Sequence, residues 1–224
     1  MLAKPSLYRS IKAVFKKDAL CELRSYYAFS TLIAFAVTTL SSLSISMGGF
    51  ALSPNLLAAL LWVILFFSAM SGLSRVFVQE QDAGTFITLR VYALPQAVYW
   101  GKMIFNILLL AGLSIIVLLL FVVFFNASTG NLPALLGVLL LGACGVAIVS
   151  TITAAMAAQT QMRSSLFTIL TFPIILPAFL TAISLTAAIF GGEKLSYLLV
   201  LFLIGYDIAA AVAGSVLFDY LWLE

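Results

Sequence analysis

The residues of this sequence that could do chemistry are few, and most of them cluster. Arg75, Phe77, Glu80, Asp82, Gly84, Thr85, Phe86, Leu89 and Arg90 fall in one polar interruption, Arg75 to Lys102, of an otherwise apolar chain. Elsewhere, Asp207 is set well inside an apolar run, and Pro173 and Pro177 stand four apart in another. These types and spacings suit recognition and movement better than bond-making. The chain has no histidine, which removes the commonest general base and the commonest metal and haem ligand. No G-x-x-x-x-G-K loop followed by Ser or Thr is present to cradle a nucleotide phosphate. Neither a Ser/His/Asp nor a Cys/His nucleophilic set can be assembled. Self-contained catalysis is therefore not expected, and neither is a directly bound metal or cofactor.

Composition says where such residues must work. The 224 residues are 64% hydrophobic and 8% charged, whereas a soluble domain carries about 25% charged residues. So few polar groups cannot cover a water-facing surface, and the expectation is an all-α integral membrane protein with one transmembrane domain over residues 1–224. The net charge of +3 comes mostly from the first 24 residues and does not point to nucleic acid. Cys21 precedes the first apolar run and Cys144 lies inside another, so no disulfide is expected.

A helix needs about 20 apolar residues to cross a hydrocarbon core of about 30 Å. Six segments qualify: Tyr26 to Met47, Asn55 to Ser74, Met103 to Phe125, Leu132 to Ala158, Ser165 to Phe190 with its two prolines, and Leu195 to Leu217. With the N-terminus in the cytoplasm, every Lys and Arg except Lys194 falls inside, so the positive-inside rule puts both termini there. Before the first span, Leu7, Ile11, Val14 and Phe15 recur at helical spacing, with Lys12, Lys16 and Lys17 elsewhere on the wheel. Residues 5–24 therefore read as an amphipathic helix on the cytoplasmic leaflet, Pro5 suiting its first turn. No cleaved signal peptide is expected, because the first apolar run is too long.

The segment 75–102 then reads as a cytoplasmic hairpin between spans two and three. Glu80 extends the second span, and Asp82-Ala83-Gly84 makes a turn in which Gly84 is free to take positive φ. Thr85 caps a short helix whose Phe86, Leu89 and Ala93 share a face, and Pro95 starts the helix that re-enters the membrane. Such a hairpin offers a surface to a cytoplasmic partner.

Within the spans, Pro173 and Pro177 each remove a backbone hydrogen bond and mark either a hinge or a static bend. Gly137, Gly142, Ala143, Gly145, Ala147 and Ala154 suit close helix packing. Asp207 is expected to make a helix-packing hydrogen bond with Tyr206 or a threonine of the fifth span; a relay that changes between states is the alternative.

The pattern R-x-F-x-x-E-x-x-x-G at Arg75, Phe77, Glu80 and Gly84, followed by Leu89, Pro95 and Lys102, resembles the haem exporter protein B (CcmB) family. The prolines of "FPIILP" and the basic leader helix add to the likeness, which covers essentially the whole chain. The resemblance implies an ABC-2 type permease subunit of the cytochrome c maturation system, in the bacterial inner membrane. It implies a homodimer paired with a separate CcmA-like ABC ATPase that binds the ATP. Haem would be handled mainly by a CcmC-like membrane protein and a CcmE-like chaperone, and Glu80 to Arg90 would seat in the ATPase as a coupling helix. Two other readings stay open: an ABC-2 permease for another amphipathic or lipid-like substrate, and a non-transporting membrane scaffold.

Overall fold

The computed structural model describes residues 6–48, 52–73, 80, 84, 89, 93–127, 130–158 and 163–223. They form α-helices and no strands: α1 (Leu7–Ser25), α2 (Tyr27–Met47), α3 (Pro54–Leu73), α4 (Pro95–Phe125), α5 (Leu132–Ala158), α6 (Arg163–Phe190) and α7 (Tyr197–Leu223). Six of these, α2 to α7, are long and apolar enough to cross a membrane.

The bundle is arranged around α5, which packs against α4, α6 and α7, while α3 fills the space between α2 and α6. Burial follows this order: 61% of the most apolar window of α3 and 56% of that of α5 are buried, against 22% for α2 and for α7. Missing side chains bring the helices close. A Cβ on Gly142 of α5 would overlap the Trp62 indole of α3, and one on Gly72 would stand 2.6 Å from Leu32 of α2. Gly137, by contrast, faces open space. Hydrogen bonds then fix the register between helices whose apolar surfaces discriminate poorly in lipid. Trp62 Nε1 donates to Thr186 Oγ1 at 2.9 Å, Asn106 Nδ2 donates to Thr151 Oγ1 at 2.9 Å, and the Thr153 and Thr171 hydroxyls share a bond of 2.7 Å. On the peripheral α2, the Thr38 and Thr39 hydroxyls turn back on their own helix, to the Ala34 and Phe35 carbonyls, while Ser44 donates to the Phe124 carbonyl of α4 at 3.2 Å. Both cysteines are free.

Helix α4 starts at Pro95, as expected from the sequence, about two turns before the uncharged run at Met103, and it carries Lys102 buried within the fold. Helix α7 continues past Leu217 to Leu223, since Asp219 finds a partner in Gln96. Helix α6 runs unbroken through Pro173 and Pro177, so neither proline unwinds it. Both prolines lie on its exposed side, and the Thr181 hydroxyl donates to the Pro177 carbonyl at 2.8 Å.

Candidate coupling site

Helix α1 turns into α2 at one left-handed residue. Tyr26 takes φ 50°, its N–H donates to the Glu22 carbonyl at 2.6 Å, and the Glu22 carboxylate accepts the Phe29 N–H at 2.7 Å. That carboxylate satisfies a donor that the first turn of α2 would otherwise leave open. The corner directs α1 along the start of α4. Ile11, Val14, Phe15 and Asp18 share one face of α1, as Val98, Gly101, Lys102 and Phe105 do of α4. Val14 fills the notch at Gly101, where a Cβ would stand 2.8 Å from it, and the Phe15 and Phe105 rings meet edge-on at 6.5 Å. Within the apolar stripe, Val14 and Phe15 thus pack on α4, while Leu7 of the same stripe and Tyr8, Leu20 and Leu23 remain exposed.

One turn further along this seam lies an ion cluster. The Lys102 ammonium, on a residue only 1% exposed, is 2.9 Å from Glu80 Oε1 and 3.3 Å from Asp18 Oδ2. Lys17 also pairs with Glu80, and with Asp18 at 3.1 Å. Two cations and two anions thereby join α1, the hairpin and α4. Burial alone would raise the Glu80 carboxyl, but the Lys102 and Lys17 ammoniums outweigh it and hold the group below the usual 4.5. Burial alone would lower Lys17, but Asp18 and Glu80 outweigh it and hold the ammonium above 10.5. In a low-dielectric seam each charge is stable through the others.

A second polar knot secures the same end of α4. Gln96 Nε2 donates to Asp219 Oδ2 at 2.6 Å and to the Ser215 carbonyl at 3.1 Å, both on α7, and its Oε1 accepts from Trp100 Nε1 at 3.1 Å. Three turns of α4 therefore grip α1, the hairpin and α7.

Of the hairpin residues singled out from the sequence, the structure describes three. Glu80 turns inward and anchors the segment instead of presenting itself outward. Gly84 has φ 67° and is exposed with nothing near it, as a turn tip requires. Leu89 packs against the core together with Ala93, whose N–H donates to the Leu89 carbonyl at 2.9 Å. Arg75, Phe77, Asp82, Thr85, Phe86 and Arg90 lie outside the described residues. Sequence reasoning passed over Lys17 and Asp18 as site residues and took Lys102 only as the end of a pattern. Their only signal was charge beside a span, and Glu80 meets Lys17 across 63 positions of chain.

Asp207 stands apart from this site, mid-way along α7. The hydrogen bond expected from Tyr206 is not made, because the Tyr206 hydroxyl donates to the Ile174 carbonyl of α6 instead.

Six apolar spans, with an amphipathic helix strapped by charge to a polar hairpin, define an all-α membrane permease. No curated protein matches the chain. The family model described as "CcmB protein" does match, over residues 9–218, and the chain belongs to that family. Membership implies the permease component of the ABC system for haem export and cytochrome c maturation, a transporter subunit and not itself an enzyme.

Proposed function

We propose that this chain converts ATP hydrolysis by a separate ABC ATPase subunit into movement of its spans, driving haem export or release of the haem-loaded chaperone in c-type cytochrome biogenesis. The observation that carries the reading is Glu80, pinned between Lys17 of α1 and Lys102 of α4. A hairpin fixed in this way cannot be displaced without moving the surface helix and the third span together. A loose linker would absorb a push; this one passes it on. The exposed turn at Gly84 is the contact for the ATPase, in the coupling segment that also carries Thr85, Phe86, Leu89 and Arg90 in sequence.

The surrounding arrangement follows from the same reading. The ion cluster lies on the cytoplasmic side of a bacterial inner membrane, with both termini there and residues 1–224 acting as one permease domain. Two copies sit on two ATPase subunits. ATP binds the CcmA-like partner, and haem stays mainly with CcmC-like and CcmE-like proteins. Pro173 and Pro177 are where α6 would bend.

The test is formation of c-type cytochromes in cells carrying Glu80→Arg or Gly84→Pro as the sole copy. Glu80→Arg sets a third cation against Lys17 and Lys102, and proline cannot adopt the positive φ of Gly84. Both variants should remain in the membrane and abolish maturation, and Gly84→Pro should also lose the ATP-binding subunit on gentle purification. Normal maturation in both would sink the coupling role. A wild-type chain that never captures an ATP-binding subunit would favour the scaffold.

A further inference from the structure

The carboxyl of Asp207 occupies a position built for hydrocarbon. The residue is 7% exposed, and neither carboxyl oxygen meets a hydrogen-bond partner among the described residues. Across the seam, α5 carries Gly145, where a Cβ would stand 2.6 Å from Asp207 Oδ1 and 3.7 Å from Cδ1 of Ile175 on α6. The carboxyl therefore lodges in the space left by an absent side chain, walled by α5 and α6.

Among the described residues, what faces it supplies no positive charge. Helix α5 offers the Cys144 thiol and α7 the Tyr206 phenol, both close enough to feel a charge at Asp207. Helix α6 presents Ile175, and its Ile174 carbonyl takes the Tyr206 hydroxyl. Helix α4 reaches α7 through Tyr99, which donates to the Ala211 carbonyl at 3.2 Å, and through Gln96, engaged with Ser215 and Asp219. The buried cation of α4, Lys102, is held by Asp18 and Glu80. An ionised carboxylate in this notch would find neither a donor nor a counter-ion among the described residues to replace its hydration.

We propose that Asp207 is a proton-binding site within the membrane: a neutral carboxylic acid closed into the seam between α5 and α7, which releases its proton only when that seam opens to water. The closed bundle then binds one proton more than the opened one. By linkage, any step of the transport cycle that parts α5 from α7 is coupled to proton release, and acidity favours the closed form. Glycine at 145 is part of the site, since a side chain there would take the space of the carboxyl.

The experiment is infrared spectroscopy of the full-length chain in lipid at neutral pH, wild type against Asp207→Asn. Asparagine keeps the shape and cannot ionise. The expected result is a protonated-carboxyl C=O stretch in the wild type that disappears in Asp207→Asn, with the variant accumulating in the membrane at the wild-type level. Loss of carboxylate bands instead, with no change in the protonated-carboxyl region, would overturn the proposal. If Asp207→Asn does not accumulate, Asp207→Ser takes its place. If neither neutral variant accumulates, the wild-type spectrum decides alone, and the absence of any protonated-carboxyl stretch at neutral pH would overturn the proposal.

Discussion

Glu80 and Asp207 are equally hidden, at 7% exposure each, yet they differ in everything that decides the state of a buried acid. Glu80 lies at the end of the bundle between two ammoniums that bind its charge more tightly than burial opposes it. Asp207 lies mid-span at the notch of a glycine and beside an isoleucine, with no hydrogen-bond partner or cation in contact among the described residues. Burial decides nothing by itself; the company does. A carboxyl with cations beside it becomes a mechanical joint, and one without them becomes a place to keep a proton.

The strongest way to break this contrast is to take away a cation from the joint. Lys102→Met removes the ammonium that lies 2.9 Å from Glu80 and 3.3 Å from Asp18 and leaves Lys17 beside both. Removing one partner of a buried ion pair costs about 3–5 kcal/mol, and we expect a loss of that size in thermal unfolding of the purified chain. Adding Glu80→Leu to Lys102→Met should recover part of the loss, because Lys17 and Asp18 then remain as a neutral pair. No recovery in the double variant would mean that the four charges do not act as one cluster.

Next in size is an intrusion on the unpaired acid. Gly145→Ala places a methyl group within 2.6 Å of Asp207 Oδ1, and overpacking of this kind costs about 1–3 kcal/mol. The carboxyl is the short end of a rigid side chain, with α6 behind it, and cannot retreat far. In an Asp207→Ala background the same substitution should cost much less, and the difference, read in a double-mutant cycle, measures the contact itself. Equal costs in both backgrounds would place the clash elsewhere on α5.

These two sites also show where sequence reading succeeds and where it stops. Spans are legible because lipid demands long uncharged helices. Leu132 to Ala158 came out of the hydropathy with the bounds of α5, and the positive φ of Gly84 was readable from the turn composition around it. Partners in space were not legible. Nothing local links Lys17 to Glu80, or Gln96 to Asp219, since these pairs are set by how α1 and α7 lie against α4. For the same reason the stripe Leu7, Ile11, Val14 and Phe15 did not tell that Val14 and Phe15 pack on Gly101 and Phe105 while Leu7 stays exposed: an apolar face announces that it will be covered, not by what. Asp207 was visible as an oddity, yet the partner expected for it was wrong, because the proline-bearing α6 draws the Tyr206 hydroxyl to its own Ile174 carbonyl.

The smallest expected effect is that of pH on the joint, and its shape matters more than its size. The folded-state value of Glu80 is lowered from 4.5, so the stability it lends is complete above 4.5 and fades as pH falls through that lower folded value. The value for Lys17 is raised from 10.5, so its contribution is complete below 10.5 and fades as pH rises through the higher folded value. Between these limits no member of the pair changes charge, and α1 should stay docked at constant strength. A spin label on Cys21, which is exposed on α1, reports this directly once Cys144 is replaced by serine. Its mobility should be flat across the neutral range and rise only at the two extremes. A mobility step near neutrality that vanishes in Glu80→Gln would show that the Glu80 proton is not held off by its lysines, and the distinction between the paired and the unpaired acid would fall with it.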